Sequence, residues 1–289
     1  MMDFTSQKIA KFIAESLAED KGSGDHSSLA CIPEGKFGAA QMIFKENGIV
    51  AGLKLAEQIF HTVDPNLKTV LLKHDGDEIK AGEIILYVSG SVHSILVTER
   101  LVLNCIQRLS GIATQTHQAV KLIKGTKAKI LDTRKTTPGL RHLEKWAVRV
   151  GGGVNHRMGL YDMIMLKDNH IDYAGGIGVA VERTKQYLSK HNLSLKIEVE
   201  TRNLEEVKQA LEQQIVDRIM FDNFSPELMK AAVLLVDGRK QTEASGGITL
   251  QNVRKYAETG VDFISIGALT HSVRSIDISL KEIEQMPNP

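Results

Sequence analysis

Short apolar runs recur along the second half of the chain, and a stretch with helical spacing follows each of them except the last. The runs lie at residues 128–131, 162–166, 195–200, 217–221, 240–244 and 262–266. Strands that alternate with helices are typical of a parallel sheet. At least six units favour an α/β barrel, although an open doubly wound sheet would give a similar pattern.

The first 112 residues lack this alternation and predict a separate α/β domain ahead of the barrel at residues 113–271. Their apolar spacing predicts a helix over 5–18, a loop over 19–28, a helix over 48–60, a strand over 82–90 and a long helix from 98 to about 124. Gly111 lies inside the long helix, where a glycine allows an interruption.

Composition narrows the class of protein. The 289 residues are 42% hydrophobic and 25% charged with a net charge of +1, so no global field attracts nucleic acid or an anionic membrane. No apolar run has the length of a membrane span, and the N-terminus lacks the apolar core of a signal peptide. Cys31 and Cys105 stand far apart without metal-binding spacing, which predicts reduced thiols and a cytoplasmic protein.

Polar residues and glycines lie at or just after the ends of the six apolar runs. They are Asp132, Arg134 and Lys135, then Lys167, then Glu200, then Asp222, then Ser245, Gly246 and Gly247, and finally Gly267. The carboxyl ends of barrel strands meet on one face, where active sites are built. We therefore predict an active site on this face.

Five basic residues belong to the predicted site: Arg134, Lys135, His156, Arg157 and Lys167. Arginine can bind a carboxylate or phosphate through two parallel hydrogen bonds, and lysine supplies a point charge. The glycines at 151–153 let the backbone approach a ligand. Three further basic residues have helical spacing inside 139–150, and we interpret them as the solvated face of a helix that separates two cationic segments: Arg141, Lys145 and Arg149.

The loops after the last two predicted strands predict a phosphate site. Ser245–Gly247 and Gly267 occupy the places where barrels bind phosphate through backbone amides. Glu200 and Asp222 could hold Mg²⁺ with substrate phosphates or bond ribose hydroxyls, and the alternative is a structural ion pair with Lys167. Neither a G-x-x-x-x-G-K-[ST] loop nor a complete G-x-G-x-x-G occurs, so neither a nucleoside-triphosphate hydrolase nor a dinucleotide oxidoreductase is supported.

The chain resembles the quinolinate phosphoribosyltransferase family over nearly its whole length. The stretches that carry the resemblance are EDKGSGD, TERLVLNCIQRLSGIAT, DTRKTTPGLR, GGGVNHRMGLYDMIMLKDNH, IEVE, FDN, SGGI and IGA. The resemblance implies an N-terminal α/β sandwich-like domain, an incomplete α/β barrel of six to seven strands, and a C-terminal segment at 272–289 that packs on the first domain. One departure is GDHSS at 24–28, where the family more often has Asp-x-Thr-Ser, and it concerns that loop rather than the chemistry.

The resemblance also implies residue roles and an assembly. Quinolinate contacts would be Thr133, Arg134, Lys135, His156, Arg157 and Lys167, together with Arg100 from the neighbouring chain of a homodimer or a higher oligomer. Glu200 and Asp222 would face the ribose and Mg²⁺, Lys135 and Lys167 would join them in catalysis, and Ser245, Gly246, Gly247 and Gly267 would bind the 5-phosphate. No organic cofactor is expected.

The implied reaction joins quinolinate to phosphoribosyl pyrophosphate and gives nicotinate mononucleotide, pyrophosphate and carbon dioxide for NAD biosynthesis. The pyridine nitrogen is the nucleophile, so the reaction needs no Ser-His or Cys-His pair. Two other hypotheses remain. One is an aldolase or isomerase that uses Lys167 as a Schiff-base amine, and the other is a non-catalytic anion-binding relative.

Overall fold

The structure is a computed structural model that describes residues 4–287. Residues 1–3 and 288–289, which belong to the predicted N-terminal domain and the predicted returning segment, lie outside the described residues. The chain divides into two compact units, one formed by Met1–Gln115 with Val273–Pro289 and the other by Thr116–Ser272. The predicted boundary at 112/113 and this division both fall inside one long helix.

The elements follow in chain order. They are α1 (Gln7–Lys21), α2 (His26–Cys31), β1 (Phe37–Phe44), β2 (Gly48–Ile49), α3 (Leu53–Val63), β3 (Lys68–Leu71), β4 (Glu78–Ile79), β5 (Ile84–Ser91), α4 (Val92–Leu122), β6 (Lys129–Leu131), α5 (Arg141–Val150), β7 (Ile164–Leu166), α6 (Asp168–Ala174), α7 (Ile177–Lys190), β8 (Ile197–Thr201), α8 (Leu204–Glu212), β9 (Arg218–Asp222), α9 (Pro226–Val236), β10 (Gln241–Ser245), α10 (Val253–Ala257), β11 (Phe263–Ser265), α11 (Ala268–His271) and β12 (Ile278–Ile283). Among the described residues, no helix combines the length and apolar character needed to cross a membrane.

The first unit is built on an antiparallel sheet of order β12-β1-β5-β3. The last strand, β12, pairs with β1 from Ala39↔Ile283 to Phe44↔Ile278. Helix α4 is continuous through Gly111, so the allowed interruption is absent. A Cβ at Gly111 would overlap the carbonyl oxygen of Arg274, which shows that this glycine permits a close approach instead of a break.

Two short segments of the first unit differ from the prediction. The predicted helix over 48–60 is wrong at its start, because Gly48–Ile49 pairs with Glu78–Ile79 and the helix begins only at Leu53. The predicted loop over 19–28 is also partly helical, since α1 extends to Lys21. Asp25 then caps α2 by accepting from the Ser28 N–H at 3.1 Å.

The second unit contains a parallel six-stranded sheet of order β6-β11-β10-β9-β8-β7, and all six predicted strands are present. The strands follow one another in barrel order, but the sheet is not closed between β6 and β7 within the part of the chain that the structure describes. Between these edges, Val154 makes a single parallel bridge to Leu131. The predicted α/β fold, with a small N-terminal domain and an incomplete barrel, is therefore confirmed.

Candidate active site

A cavity of about 640 Å³ opens at the carboxyl ends of the six parallel strands. Its lining residues are Thr133, Arg134, Lys135, His156, Arg157, Met165, Lys167, Glu200, Met220, Asp222, Asn223, Glu243, Ser245, Gly246, Gly247 and Ser265. Eleven of the predicted site residues lie in this one cavity, because the register of a parallel sheet brings the ends of its strands to the same edge.

Two predicted residues, Gly267 and Arg100, do not line this cavity. Gly267 precedes α11 beside it, where an added Cβ would lie 3.1 Å from Lys135 Cδ. Arg100 lies on α4 in the first unit and lines a different cavity of about 570 Å³ together with Asp20, Lys21 and Asp25. The second unit therefore supplies every predicted cationic contact except Arg100.

The cavity concentrates positive charge. Desolvation and the nearby guanidinium of Arg134 both lower the pKa of Arg157, so the two arginines are close enough to repel each other. Arg157 Nη1 donates to the carbonyl of Met163 at 3.1 Å, which fixes the side chain. The buried Nε of Arg134 has no hydrogen-bond partner among the described residues. Two adjacent guanidinium groups favour a ligand with negative charge.

Lys167 and Glu200 form an ion pair on neighbouring strand ends. Lys167 Nζ lies 2.9 Å from Glu200 Oε2, and the lysine side chain is 47% exposed while the glutamate is buried. The pair that the sequence left as an alternative is thus present. It does not remove either group from the cavity, since both line it.

The glycine-rich loop after β10 is held against the end of β9. The backbone N–H of Asn223 donates to the Ser245 carbonyl at 2.9 Å. Gly246 has φ +91°, and a Cβ there would overlap the Asn223 side chain and lie 2.7 Å from its backbone nitrogen. Only glycine fits this position, so the loop backbone stays close to Asp222 and open to a ligand.

A buried group of charges, of which the sequence predicted only His156, reaches the cavity through His156 and Glu243. His156 Nε2 is 3.0 Å from Glu198 Oε2 and 3.4 Å from Glu243 Oε2, and Arg218 Nη1 is 2.8 Å from Glu243 Oε2. Glu198 and Glu243 point inward from β8 and β10, at strand positions where sequence reasoning expects apolar side chains. The two carboxylates and His156 have the spacing of a metal site, but Arg218 already supplies a cation to them.

The charged residues of this group shift one another's pKa values. Desolvation by itself would lower the pKa of His156, but Glu198 and Glu243 outweigh it and raise the pKa to about 9. Desolvation and Glu243 raise the pKa of Glu198 to about 7. The backbone N–H of Arg157 donates to His156 Nδ1 at 2.6 Å, which requires the neutral ring with its hydrogen on Nε2, so protonation of the ring would break this contact.

The predicted solvated face of α5 is wrong for Lys145. This lysine is completely buried and pairs with the buried carboxylate of Asp132 at the end of β6. Arg141 is half-buried and donates to Thr136 Oγ1 at 3.0 Å and to the Met158 carbonyl at 3.1 Å, whereas Arg149 is exposed as predicted. Helical spacing gave no signal for Lys145, because its partner, Asp132, is thirteen positions earlier and just after β6.

Glu200 and Asp222 fit a magnesium ion that arrives with a substrate. Mg²⁺ is commonly held by one or two carboxylates and completes its shell with water and phosphate oxygens. Both carboxylates line the cavity beside the glycine-rich loop, where phosphate oxygens would lie. Asn223 Nδ2 donates to Asp222 Oδ2 at 2.6 Å and leaves the other carboxylate oxygen available.

Comparison with known families covers most of the chain. The family model for the N-terminal domain of quinolinate phosphoribosyl transferase matches residues 25–110. The family model for the C-terminal domain of the same family matches residues 112–281. Together these matches include the cavity and both units of the fold.

Individual proteins agree with the family models. The chain is 50% identical over 280 residues to a chloroplastic protein of Arabidopsis thaliana named nicotinate-nucleotide pyrophosphorylase (carboxylating), with 92% of this chain and 80% of that protein covered. It is 44% identical to a Bacillus subtilis protein with the same name marked probable, covering 94% and 93%. A solved nicotinate-nucleotide pyrophosphorylase from Francisella tularensis superposes with a TM-score of 0.88 at 40% identity, covering 96% of each chain.

Proposed function

Because the chain belongs to the quinolinate phosphoribosyltransferase family, we propose that it converts quinolinate and phosphoribosyl pyrophosphate to nicotinate mononucleotide, pyrophosphate and carbon dioxide. This is a carboxylating nicotinate-nucleotide pyrophosphorylase activity, and it would serve NAD biosynthesis. The observation that carries the proposal is a single cavity that combines two adjacent guanidinium groups with a glycine-rich loop and two carboxylates.

The cationic side of the cavity suits quinolinate, which is a pyridine dicarboxylate. Arg134 and Arg157 can each bind a carboxylate, and their mutual repulsion is relieved when a dianion lies between them. Lys135 and Lys167 add positive charge, with Thr133 and His156 beside them. Fixed carboxylates orient the ring nitrogen for attack on the ribose.

The glycine-rich part of the cavity suits the phosphoribosyl group. The Ser245–Gly247 loop would receive the 5-phosphate through backbone amides, with Gly267 before α11 next to it. Along the strand order Asp222 on β9 and Glu200 on β8 lie between this loop after β10 and Lys167 after β7, so their carboxylates can stabilise positive charge that develops on the ribose. When bound, Mg²⁺ would neutralise the pyrophosphate.

The order of bond changes follows from the substrates. The pyridine nitrogen forms a bond to the anomeric carbon as the carbon–oxygen bond to pyrophosphate breaks. The ring nitrogen is then cationic and can accept the electron pair left when the adjacent carboxylate departs as carbon dioxide. A proton replaces the lost carboxylate on the ring carbon, and the second carboxylate stays bound to the cationic side chains.

The assembly and the location belong to the same proposal. The active form would be a homodimer, or a larger assembly built from it, in which Arg100 of one chain completes the cavity of the other. We expect a cytoplasmic protein, since Cys31 and Cys105 are both free thiols. Some plant relatives are instead named chloroplastic or mitochondrial.

The Schiff-base alternative fits the site less well. Activation of a lysine amine needs a desolvated ammonium with a lowered pKa. Lys167 is instead about half exposed and paired with Glu200. Borohydride trapping with a carbonyl substrate should therefore leave Lys167 unmodified.

An assay with quinolinate, phosphoribosyl pyrophosphate and Mg²⁺ tests the proposal. Nicotinate mononucleotide and carbon dioxide should form in equal amounts, and Arg134→Ala should lower kcat/KM by about a hundredfold or more, because a charged contact to the substrate is lost. Arg149→Ala is the matched control, since Arg149 is exposed on α5 and should leave the rate unchanged. Absence of product from the wild-type protein would overturn the proposal.

A further inference from the structure

We propose that Asp132, Lys145 and Asn155 form a positioning network that sets the separation of the two cationic segments at residues 133–135 and 156–157. The network would act through these segments and touch no substrate atom. It would thereby select a ligand with two neighbouring carboxylates over one with a single carboxylate. This inference rests on the proposed function.

The contacts converge on the carboxylate of Asp132. Its Oδ1 accepts from Lys145 Nζ and from the backbone N–H of His156 at 2.9 Å, and its Oδ2 accepts from Asn155 Nδ2. Asn155 Nδ2 also donates to the Lys145 carbonyl at 2.7 Å. One carboxylate thus joins the end of β6, helix α5 and the segment that carries His156 and Arg157.

Each cationic segment is attached directly to this network. Lys145 Nζ is also 3.4 Å from the Thr133 carbonyl, at the beginning of the first segment. His156, the first residue of the second segment, is held by its own backbone N–H. The separation of the two segments therefore follows from contacts to one buried pair.

Strand β6, at the edge of the sheet, also restrains the chain just before the second segment. The backbone N–H of Val154 donates to the Ile130 carbonyl at 2.8 Å, and the Asp132 N–H donates to the Val154 carbonyl at 3.3 Å. At the first residue of α5, Arg141 connects Thr136 to the Met158 carbonyl. The second segment consequently has little freedom to move relative to β6.

The burial of the Asp132–Lys145 pair indicates a role other than stabilising the fold. Asp132 and Lys145 are both completely buried. A buried ion pair is often no more stabilising than apolar residues of similar volume, because both charges lose their hydration. Buried polar networks can instead specify one arrangement of the groups that they join. Here the joined groups are the two segments proposed to bind the carboxylates.

Two variants test the inference, and they disturb the network to different extents. Asp132→Asn replaces an acceptor oxygen by a donor group and removes the charge that pairs with Lys145. Asn155→Ala removes only the amide contacts of a half-buried side chain, so it decides the question if Asp132→Asn fails to fold. Calorimetry would give the dissociation constants for quinolinate, for pyridine-3-carboxylate and for phosphoribosyl pyrophosphate, and denaturation would give the free energy of unfolding.

We expect the dissociation constant for quinolinate to rise about tenfold or more in both variants, because misplacement of a binding group by a fraction of an ångström is costly. The dissociation constant for the monocarboxylate should change by less than about twofold, since a single carboxylate can follow one displaced segment. The constant for phosphoribosyl pyrophosphate should change as little, since the Ser245–Gly247 loop follows β10 and makes no contact with the network. The preference for the dicarboxylate should therefore fall with the quinolinate affinity.

Asp262→Asn is the matched control. Asp262 accepts from Lys127 Nζ, from the Thr242 N–H and from Thr242 Oγ1, each at 2.8 Å, but it lies at the amino ends of β10 and β11, away from the cavity. It should lower stability and leave all three dissociation constants unchanged. An equal loss of affinity for both pyridine ligands, or an unchanged quinolinate affinity in a folded variant, would overturn the inference. Lack of quinolinate turnover by the wild type would instead reject the proposed function.

Discussion

At the scale of single residues, Gly246 has the most restricted position in the glycine-rich loop at Ser245–Gly247. Gly246→Ala should lower stability and raise the KM for phosphoribosyl pyrophosphate, because the new Cβ must displace Asn223 and the loop with it. The backbone change alone should destabilise by about 1 kcal/mol. Steady-state kinetics with each substrate varied in turn, together with chemical denaturation, measures both effects.

Gly238→Ala separates backbone strain from displacement of the loop. Gly238 also has positive φ, at +69°, but a Cβ there meets nothing within 4 Å. This variant should lose about the same backbone energy and keep the wild-type KM. Equal KM values for the two variants would contradict the role assigned to Gly246.

His156 should make stability depend on pH. Its pKa in the folded protein is raised to about 9, so its contribution to stability is complete below about pH 6.5 and is lost as the pH rises through 9. The change amounts to at most about 3 kcal/mol. Glu198 contributes a further loss of stability as the pH rises from about 4.5 to 7, since its pKa in the folded protein is raised to about 7.

Urea denaturation between pH 6 and 9.5 measures this dependence. His156→Gln should flatten the curve above pH 7, whereas His191→Gln should leave it unchanged because His191 is exposed at the end of α7. A wild-type protein whose stability rises with pH across this range would contradict the assignment.

At the scale of elements, local pattern was sufficient for the parallel strands of the second unit, whereas of the antiparallel sheet in the first unit it predicted only β5. All six parallel strands were predicted within two residues at either end, because short strand-like segments alternate with stretches of helical spacing. Gly48–Ile49 was mistaken for helix because its partner, Glu78–Ile79, is about thirty positions away. Helix α2 was missed because it is only six residues long.

Two helical glycines should respond oppositely to the same substitution. Gly111→Ala should destabilise the first unit, because the added methyl group displaces the Arg274 carbonyl from α4. Gly178→Ala on α7 should stabilise by about 0.5 kcal/mol, since its nearest neighbour is 4.0 Å away and alanine favours the helix. Thermal denaturation of the two variants beside the wild type measures the contrast. Stabilisation by Gly111→Ala would show that the close approach is not required.

At the scale of the whole molecule, the proposed shared site predicts complementation between two inactive proteins. Arg100→Ala and Arg134→Ala should each have little activity. After subunit exchange, an equimolar mixture should regain about a quarter of the wild-type activity, because half of the dimers are mixed and each has one intact site. Activity of the mixture is compared with exchange measured independently by mass spectrometry. Proven exchange without recovery would reject the shared site.

The rule that side chains at the carboxyl ends of parallel strands share one face located most of the cavity, but it could not reveal the buried carboxylates of Glu198 and Glu243, the second of which also lines the cavity. The residues Arg134, Lys167, Glu200 and Asp222 lie at or just after the ends of the predicted strands, so their convergence is visible in the sequence. Glu198 and Glu243 lie within strands and are paired through residues on other strands. Such pairing depends on the three-dimensional register, which no local pattern contains.

The buried pair of Asp132 and Lys145 also constrains how this sequence can change over evolutionary time. Replacement of either residue alone leaves the other as an uncompensated charge in the interior, which is strongly destabilising. A neutral replacement of both together carries no such penalty. Among functional relatives the two positions should accordingly vary jointly or not at all, whereas the exposed Arg149, on the same helix, should vary independently of both.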